Sequence, residues 1–155
     1  MLAHRDGPQA RAIGVIRTAP SDPLPQRLAE LQAELRALLE ELRPDVVAVE
    51  RIFFQNNVRT AMSVGQASGL AMAEAVALGC EVVQYSPNEV KLAVTGDGAA
   101  DKAQVQQMVQ RLLRLAAPPR PADAADAAAL ALCHLAHAPA RARVAAAVAT
   151  GGGPR

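Results

Sequence analysis

The feature that most restricts the fold is a short apolar run without alternation at residues 46–49, bounded by Asp45 and Glu50. A strand with one face in water alternates apolar and polar side chains, whereas a strand buried on both faces of a parallel sheet does not. The run therefore predicts an interior strand. It also places Glu50 at the carboxyl end of that strand.

Strands and helices are predicted to alternate along the chain. Short strands are expected at residues 10–18 and 81–85, and helical patterns cover residues 28–42, 58–78, 87–95, 101–115 and 123–137. This order indicates an α/β domain with a partly parallel sheet. The leucine stripe of the first helix is interpreted as core, and the glycine-rich end of the chain predicts a disordered tail over residues 139–155.

The composition excludes several classes of protein. With 16 Lys and Arg against 15 Asp and Glu, the chain does not hold nucleic acid by bulk basicity, although acids elsewhere could hide a local basic patch. No apolar run reaches the ~18 residues of a membrane span, and the N-terminus lacks a signal-peptide stretch, so a cytoplasmic protein is expected. Cys80 and Cys133 are interpreted as small buried hydrophobes.

Three acids are candidates for a metal site. Glu50 ends a buried strand, where functional groups cluster in open α/β sheets, although such an acid can simply face water. Asp123 and Asp126 stand three residues apart at a helix start, so their side chains can share one face. They could hold a shared metal ion, or they could only cap amides and favour the helix dipole.

Aromatic and basic residues form a second group of candidates. Phe53 and Phe54 are adjacent in a polar loop and could stack on unpaired bases, although one of them is expected to point into the core. Lys91 and Lys102, the only lysines, suit phosphate contact as compact charges. His134 and His137 could ligate a metal, but packing or surface roles are favoured.

Taken together, three acids, two lysines and an aromatic loop predict two-metal phosphodiester hydrolysis. The chain carries neither a phosphate-binding G-x-x-x-x-G-K-[ST] loop nor a G-x-G-x-x-G turn after a strand. Small residues around Gly65 and Gly69 predict a helix that another backbone approaches closely, either in a dimer interface or against the chain's own sheet.

Residues 45–53, 101–109 and 121–127 resemble, in order and spacing, the RuvC-type Holliday junction resolvases, and the resemblance spans about residues 13–138. It implies a ribonuclease-H-like mixed sheet flanked by helices, in a nuclease domain over residues 1–138. It also implies a homodimer that binds four-way junction DNA and works with a RuvA–RuvB branch-migration complex. The implied cofactor is Mg²⁺ or Mn²⁺, with two ions per active site.

The resemblance also assigns roles to residues. Glu50, Asp123 and Asp126 match the family's catalytic, metal-binding acids, and Lys102 matches its active-site lysine. Lys91 and Lys102 match DNA-contacting lysines. Phe53 matches the aromatic that stacks in the opened junction, and Phe54 is grouped with it.

The chain departs from the family pattern at its N-terminus. Members begin with a strand carrying a further catalytic aspartate in an Asp-Pro-Gly turn, then a second strand, and this chain starts after both. We therefore expect an N-terminally truncated fold, from a translation start assigned too late or from a genuine loss. The expected function is metal-dependent resolution of Holliday junctions by symmetric nicking, and the alternative is a non-catalytic, junction-binding remnant.

Overall fold

A computed structural model describes residues 2–4, 7–51 and 58–151. The chain divides into two compact units, one formed by Met1–Ile13 with Asn88–Arg155 and the other by Gly14–Pro87. The elements are β1 (Leu2–His4), β2 (Gly7–Gln9), α1 (Leu24–Leu42), β3 (Val46–Glu50), α2 (Val58–Ala77), β4 (Glu81–Tyr85), α3 (Pro87–Thr95), α4 (Lys102–Leu112) and α5 (Ala122–Gly151).

In the unit Gly14–Pro87, β3 and β4 form a parallel pair, as the uninterrupted apolar run predicts. The expectation of an interior strand buried on both faces is wrong for the described sheet, because β3 has β4 as its one described neighbour and Val49 is its one buried residue. Their register runs from Val46 opposite Glu81 to Glu50 opposite Tyr85. The pairing continues one residue further, because the Arg51 amide donates to the carbonyl of Tyr85 at 2.7 Å. Helix α2 joins the two strands and contacts both of them. Glu50 therefore stands at the carboxyl end of a two-stranded parallel sheet.

Helices α1 and α2 pack together around a buried charge. None of the leucines of α1 is fully buried, so the stripe interpreted as core is a half-buried contact face. Glu74 of α2 is only 4% exposed. Arg36 of α1 donates from Nε and Nη2 to its two carboxylate oxygens at 2.9 and 3.2 Å, and the Gln32 amide donates to it as well. A carboxylate inside this contact is compatible with folding because its oxygens are satisfied.

We expect Glu74 to make the helix contact sensitive to acid. The hydrogen bonds from Gln32 and then Arg36 lower the pKa of Glu74 below its ordinary value of 4.5. A carboxyl group whose pKa is lower in the folded state stabilises the fold fully at pH values above its unfolded-state pKa. This stabilisation is lost as the pH falls through its folded-state pKa. The melting temperature of Glu74→Gln should therefore fall less than that of the wild type between about pH 5 and pH 3. Glu30→Gln, at an exposed position of α1, is the control, and parallel melting curves for all three proteins would contradict the expectation.

The unit containing Asn88–Arg155 is built from helices, with a β1–β2 hairpin. Asp101 begins α4 with a capping box: its carboxylate accepts from the Gln104 amide at 2.9 Å, and the Gln104 side chain accepts from the Asp101 amide at 2.8 Å. Val105 and Val109 of α4 are buried, and α4 packs on α5. The alanines that α5 buries let the two helices approach closely: Ala124, Ala125, Ala128 and Ala129.

Two sequence-based expectations about secondary structure need correction. Residues 10–18 are not a strand, because a strand needs a hydrogen-bonded neighbour and no described strand pairs with this segment. Ile13 and Val15 are accordingly 36% and 39% exposed. Helix α5 does not end near His137 but continues through Pro139 to Gly151, because an alanine-rich sequence favours helix strongly enough to absorb one missing donor.

The helix therefore covers most of the segment for which a disordered tail is expected, and residues 152–155 lie outside the described residues. The division into a domain at residues 1–138 and a tail stays a prediction. Within the described part of the chain, no helix has the length and apolar character that crossing a membrane requires.

Candidate active site

Glu50 has the position that the sequence predicts. It is the last residue of β3, it is exposed, and it follows the buried Val49 directly. The backbone on either side is fixed by the ladder to β4, and the Arg51 side chain reaches the carbonyl of Gln84 at 3.4 Å. A carboxylate here is presented to solvent from a rigid strand end, where α/β sheets place ligand-binding groups.

Asp123 and Asp126 lie on the exposed face at the beginning of α5. Both are exposed, whereas Ala124 and Ala125 between them are completely buried. This pattern fixes the rotation of the helix: the alanines face inward, so the two acids must face outward. The positive end of the helix dipole favours negative charge at this end of α5, close to Asp123. The structure therefore supplies two carboxylates on one face, as their spacing predicts.

Lys102 lies beside this acidic face. The Asp101 cap makes Lys102 the first residue of α4, and its Nζ lies 3.6 Å from Oδ2 of Asp126. Both side chains are largely open to water, at 74% and 47% exposure, so the pair adds little to stability. Its significance is positional, because it brings an exposed ammonium next to an exposed carboxylate.

The remaining basic and aromatic candidates are placed differently. Lys91 is half-buried on α3, and its carbonyl accepts a hydrogen bond from the Thr95 hydroxyl at 2.8 Å. Phe53 and Phe54 lie outside the described residues. The structure thus brings Lys102 to Asp126, while the roles of Lys91, Phe53 and Phe54 stay predictions.

Cys133 links the helix of the acids to the helix of Lys91. Its side chain is fully buried, and Sγ lies 3.7 Å from the carbonyl of Glu89 on α3, to which the thiol donates. Burial, and then the charge of Glu89, raises the pKa of the Cys133 thiol to about 11. The thiol therefore stays protonated and serves as a structural donor. Cys80 is only half-buried and also has a free thiol.

His137 has a local role in α5. Its Nδ1 lies 2.8 Å from the carbonyl of Cys133, one turn earlier, and donates a hydrogen bond to it. That contact occupies one ring nitrogen and agrees with a packing role. Across the described residues, no group of three or more His, Cys, Asp or Glu side chains is gathered closely enough to enclose a metal ion. Asp123 and Asp126 supply two oxygen-bearing side chains, the kind of ligand that Mg²⁺ and Mn²⁺ prefer.

The ion pair of Arg36 with Glu74 is not predicted by the sequence pattern. Glu74 is an acid in a helix rich in small and apolar residues, which indicates that its charge is paired. Its partner Arg36 lies 38 residues away in the sequence. No local pattern connects the two positions.

These features define an α/β protein with two exposed carboxylates on one helix face and a lysine beside one of them. A sequence model of the family described as "Crossover junction endodeoxyribonuclease RuvC" matches residues 4–134. The chain belongs to this family.

Relatives with the same description are similar over most of their length. The protein from Salinispora arenicola is 57% identical over 136 residues, which cover 88% of this chain and 78% of the relative. The protein from Streptomyces avermitilis is 55% identical over 139 residues, which cover 90% of this chain and 79% of the relative.

Two solved structures match the fold. A Thermus thermophilus RuvC structure is 38% identical, with a TM-score of 0.74, over 81% of this chain and 75% of that one. A structure of T. thermophilus RuvC in complex with a Holliday junction substrate is 36% identical, with a TM-score of 0.73, over 81% and 76% of the two chains. The fold of this chain is therefore the ribonuclease-H-like α/β fold of RuvC, as the resemblance in sequence implies.

Proposed function

We propose that the chain is a metal-dependent endonuclease that resolves four-way DNA junctions by symmetric nicking during recombination and repair. The observation that supports this most directly is the exposed pair Asp123 and Asp126 with Lys102 beside it, in a member of the RuvC family. Carboxylates with a neighbouring ammonium suit phosphodiester hydrolysis because they bind cations while the ammonium offsets phosphate charge.

The residues proposed to hold Mg²⁺ or Mn²⁺, with two ions per active site, are Glu50, Asp123 and Asp126. When bound, such ions polarise the phosphoryl oxygen and lower the pKa of a water molecule. Asp123 and Asp126 would present two carboxylates from one face of α5, and Glu50 would present a carboxylate from the end of β3. All three side chains are exposed, as binding of an incoming DNA strand requires.

Lys102 would bind the phosphate at the cleavage site. Its long side chain can move from Asp126 to a phosphate oxygen at little cost, since the present ion pair is exposed. Lys91 would contact the phosphate backbone of the DNA away from the cleavage site. Phe53 and Phe54 would stack on bases that are unpaired at the junction.

Symmetric nicking requires two active sites related by a two-fold axis, so we propose a homodimer. The α2 face around Gly65 and Gly69 is our candidate interface. A Cβ added at either glycine would have nothing within 4 Å in the described structure, so close packing against the chain's own sheet does not explain these residues. Met62 and Val64 are also 59% and 45% exposed on this helix. A RuvA–RuvB branch-migration complex is the proposed partner assembly.

Gly69→Leu is expected to convert the dimer into a monomer without unfolding the chain. The space around Gly69 is open within the chain, so leucine fits there, but it keeps a second backbone at a distance. Sedimentation velocity measures the change in mass, and far-UV circular dichroism verifies the fold. Gly14→Leu, at another glycine with open space, is the control and should remain dimeric. A Gly69→Leu protein that is still dimeric would remove this face from the interface.

The proposed function is tested with a synthetic four-way junction labelled on each strand in turn. Cleavage in Mg²⁺ or Mn²⁺, at symmetric positions in two opposing strands and absent in EDTA, would support the proposal. Junction binding in a gel-shift assay without cleavage under any of these conditions would instead identify a junction-binding protein.

A further inference from the structure

The C-terminal part of α5 differs in charge from the rest of the chain. Residues 127–155 contain no Asp or Glu but three arginines, Arg141, Arg143 and Arg155. The first 126 residues carry 13 Lys and Arg against 15 Asp and Glu. The near-zero net charge of the whole chain therefore conceals a segment that is only positive.

Residues 138–151 of α5, here called the C-terminal arm, project from the packed part of the helix. Burial along α5 is regular up to Cys133, but the described side chains of residues 139–148 are all exposed. Val144 and Val148 are 64% and 71% exposed. An exposed helix of this length buries little apolar surface, so contact with a partner would stabilise it.

Pro139 lies where the packed part of α5 meets the C-terminal arm. Proline has no backbone N–H, so the hydrogen bond to the carbonyl of Leu135 is missing. The arm is thus coupled to the body of α5 by fewer hydrogen bonds than an uninterrupted helix would have.

The two arginines of the helical arm are arranged for a double-stranded polyanion. Successive residues turn by about 100° around a helix, so Arg141 and Arg143 project about 200° apart, on opposite sides of the arm. Half of the 14 residues of the arm are alanines, whose short side chains keep the helix thin. The major groove of DNA, about 12 Å wide, admits an α-helix, and a phosphate strand runs along each wall of it.

We propose that the C-terminal arm is a second DNA-binding element. It lies in the major groove of one of the duplexes that meet at the junction, with Arg141 and Arg143 on phosphates of the two strands. The proposal rests on the proposed function for the presence of junction DNA. The arm is separate from the acidic face, because Asp126 and Arg141 are 15 residues apart on one helix, about 22 Å along its axis. The C-terminal arm increases the affinity for duplex DNA, whereas other residues distinguish the four-way junction from a linear duplex.

The test measures binding of the full-length protein to a fluorescent four-way junction and to a linear duplex, in EDTA, over a series of salt concentrations. Each phosphate contact contributes about 0.9 to the slope of log affinity against log salt, so Arg141→Gln/Arg143→Gln should lower that slope by about two. The loss should be equal on junction and duplex, because phosphate contacts carry no sequence or branch information.

Arg11→Gln/Arg17→Gln removes the same charge from two exposed positions outside the arm and is the matched control. Its salt slope should equal that of the wild type. Equal slopes for the arm variant and the wild type would overturn the proposal, as would an equal loss in the control. Far-UV circular dichroism should show all three proteins to be folded, since the replaced side chains are exposed.

The same proteins are then assayed for junction cleavage in Mg²⁺, which separates the two proposals. If the wild type does not cut but the arm variant still loses salt dependence on duplex, the arm binds DNA and the proposed nuclease function fails. If the wild type cuts and the slopes are equal, the nuclease function stands and the arm proposal fails.

Discussion

Asp126→Asn should reduce the rate of junction cleavage by about 10³-fold or more, which corresponds to roughly 4 kcal/mol of transition-state stabilisation. The substitution keeps the shape of the side chain but removes the charge that would attract a divalent cation. It also removes the partner of Lys102, now 3.6 Å away. Asp126 is exposed, so we expect folding and junction binding to be retained. Single-turnover cleavage of a labelled junction measures the rate.

Asp123→Asn should give a loss of the same order, because both acids occupy one face of α5. Asp22→Asn, an exposed acid in a turn before α1, serves as the control and should cut at the wild-type rate. Cleavage by Asp126→Asn within a few-fold of the wild type would remove this residue from the catalytic site. Equal melting temperatures for the variants would show that a lost rate is not lost folding.

Ala125→Leu should damage both stability and catalysis. Ala125 is completely buried between the two exposed acids, so a larger side chain must displace α5. Overpacking of this kind costs about 1–3 kcal/mol of unfolding free energy. Because a displacement of about 1 Å in a catalytic group can cost about 10²-fold in rate, cleavage should fall even in the protein that remains folded.

Denaturant unfolding gives the loss of stability, and cleavage at a temperature well below the melting transition gives the rate. Ala136→Leu makes the same change at an exposed position of α5 and should be close to the wild type in both measurements. A stable and fully active Ala125→Leu would mean that the alanine packing does not hold the acids in place.

Local signals in the sequence predicted most of the elements correctly. The run at residues 46–49 identified β3, and Ser86-Pro87 and Asp101 marked the starts of α3 and α4. These signals succeed because an apolar run lies within one strand and a helix cap lies within one turn. Burial of Ala124 and Ala125 then explains why the spacing of Asp123 and Asp126 placed both acids on an exposed face.

The errors arose where the deciding interaction is distant in sequence or weak. Residues 10–18 have the composition of a strand, but strand formation depends on a neighbour that no local pattern specifies. The glycine-rich end of the chain suggested an early end of α5, whereas high alanine content sustains the helix to Gly151. The contact of Lys102 with Asp126 joins two helices and could not be derived from either helix alone.

Because the chain contains two lysines, chemical labelling of amines can be used to probe the acidic face selectively. Amine acylation can modify only the N-terminus, the half-buried Lys91 and Lys102, whose side chain is 74% exposed beside Asp126. A lysine-specific protease cuts the unmodified chain into residues 1–91, 92–102 and 103–155, and acylation of Lys102 fuses the last two peptides into one. Detection of that single peptide by mass therefore shows that Lys102 was accessible to the reagent. Comparing the labelling with and without DNA measures whether DNA covers the acidic face.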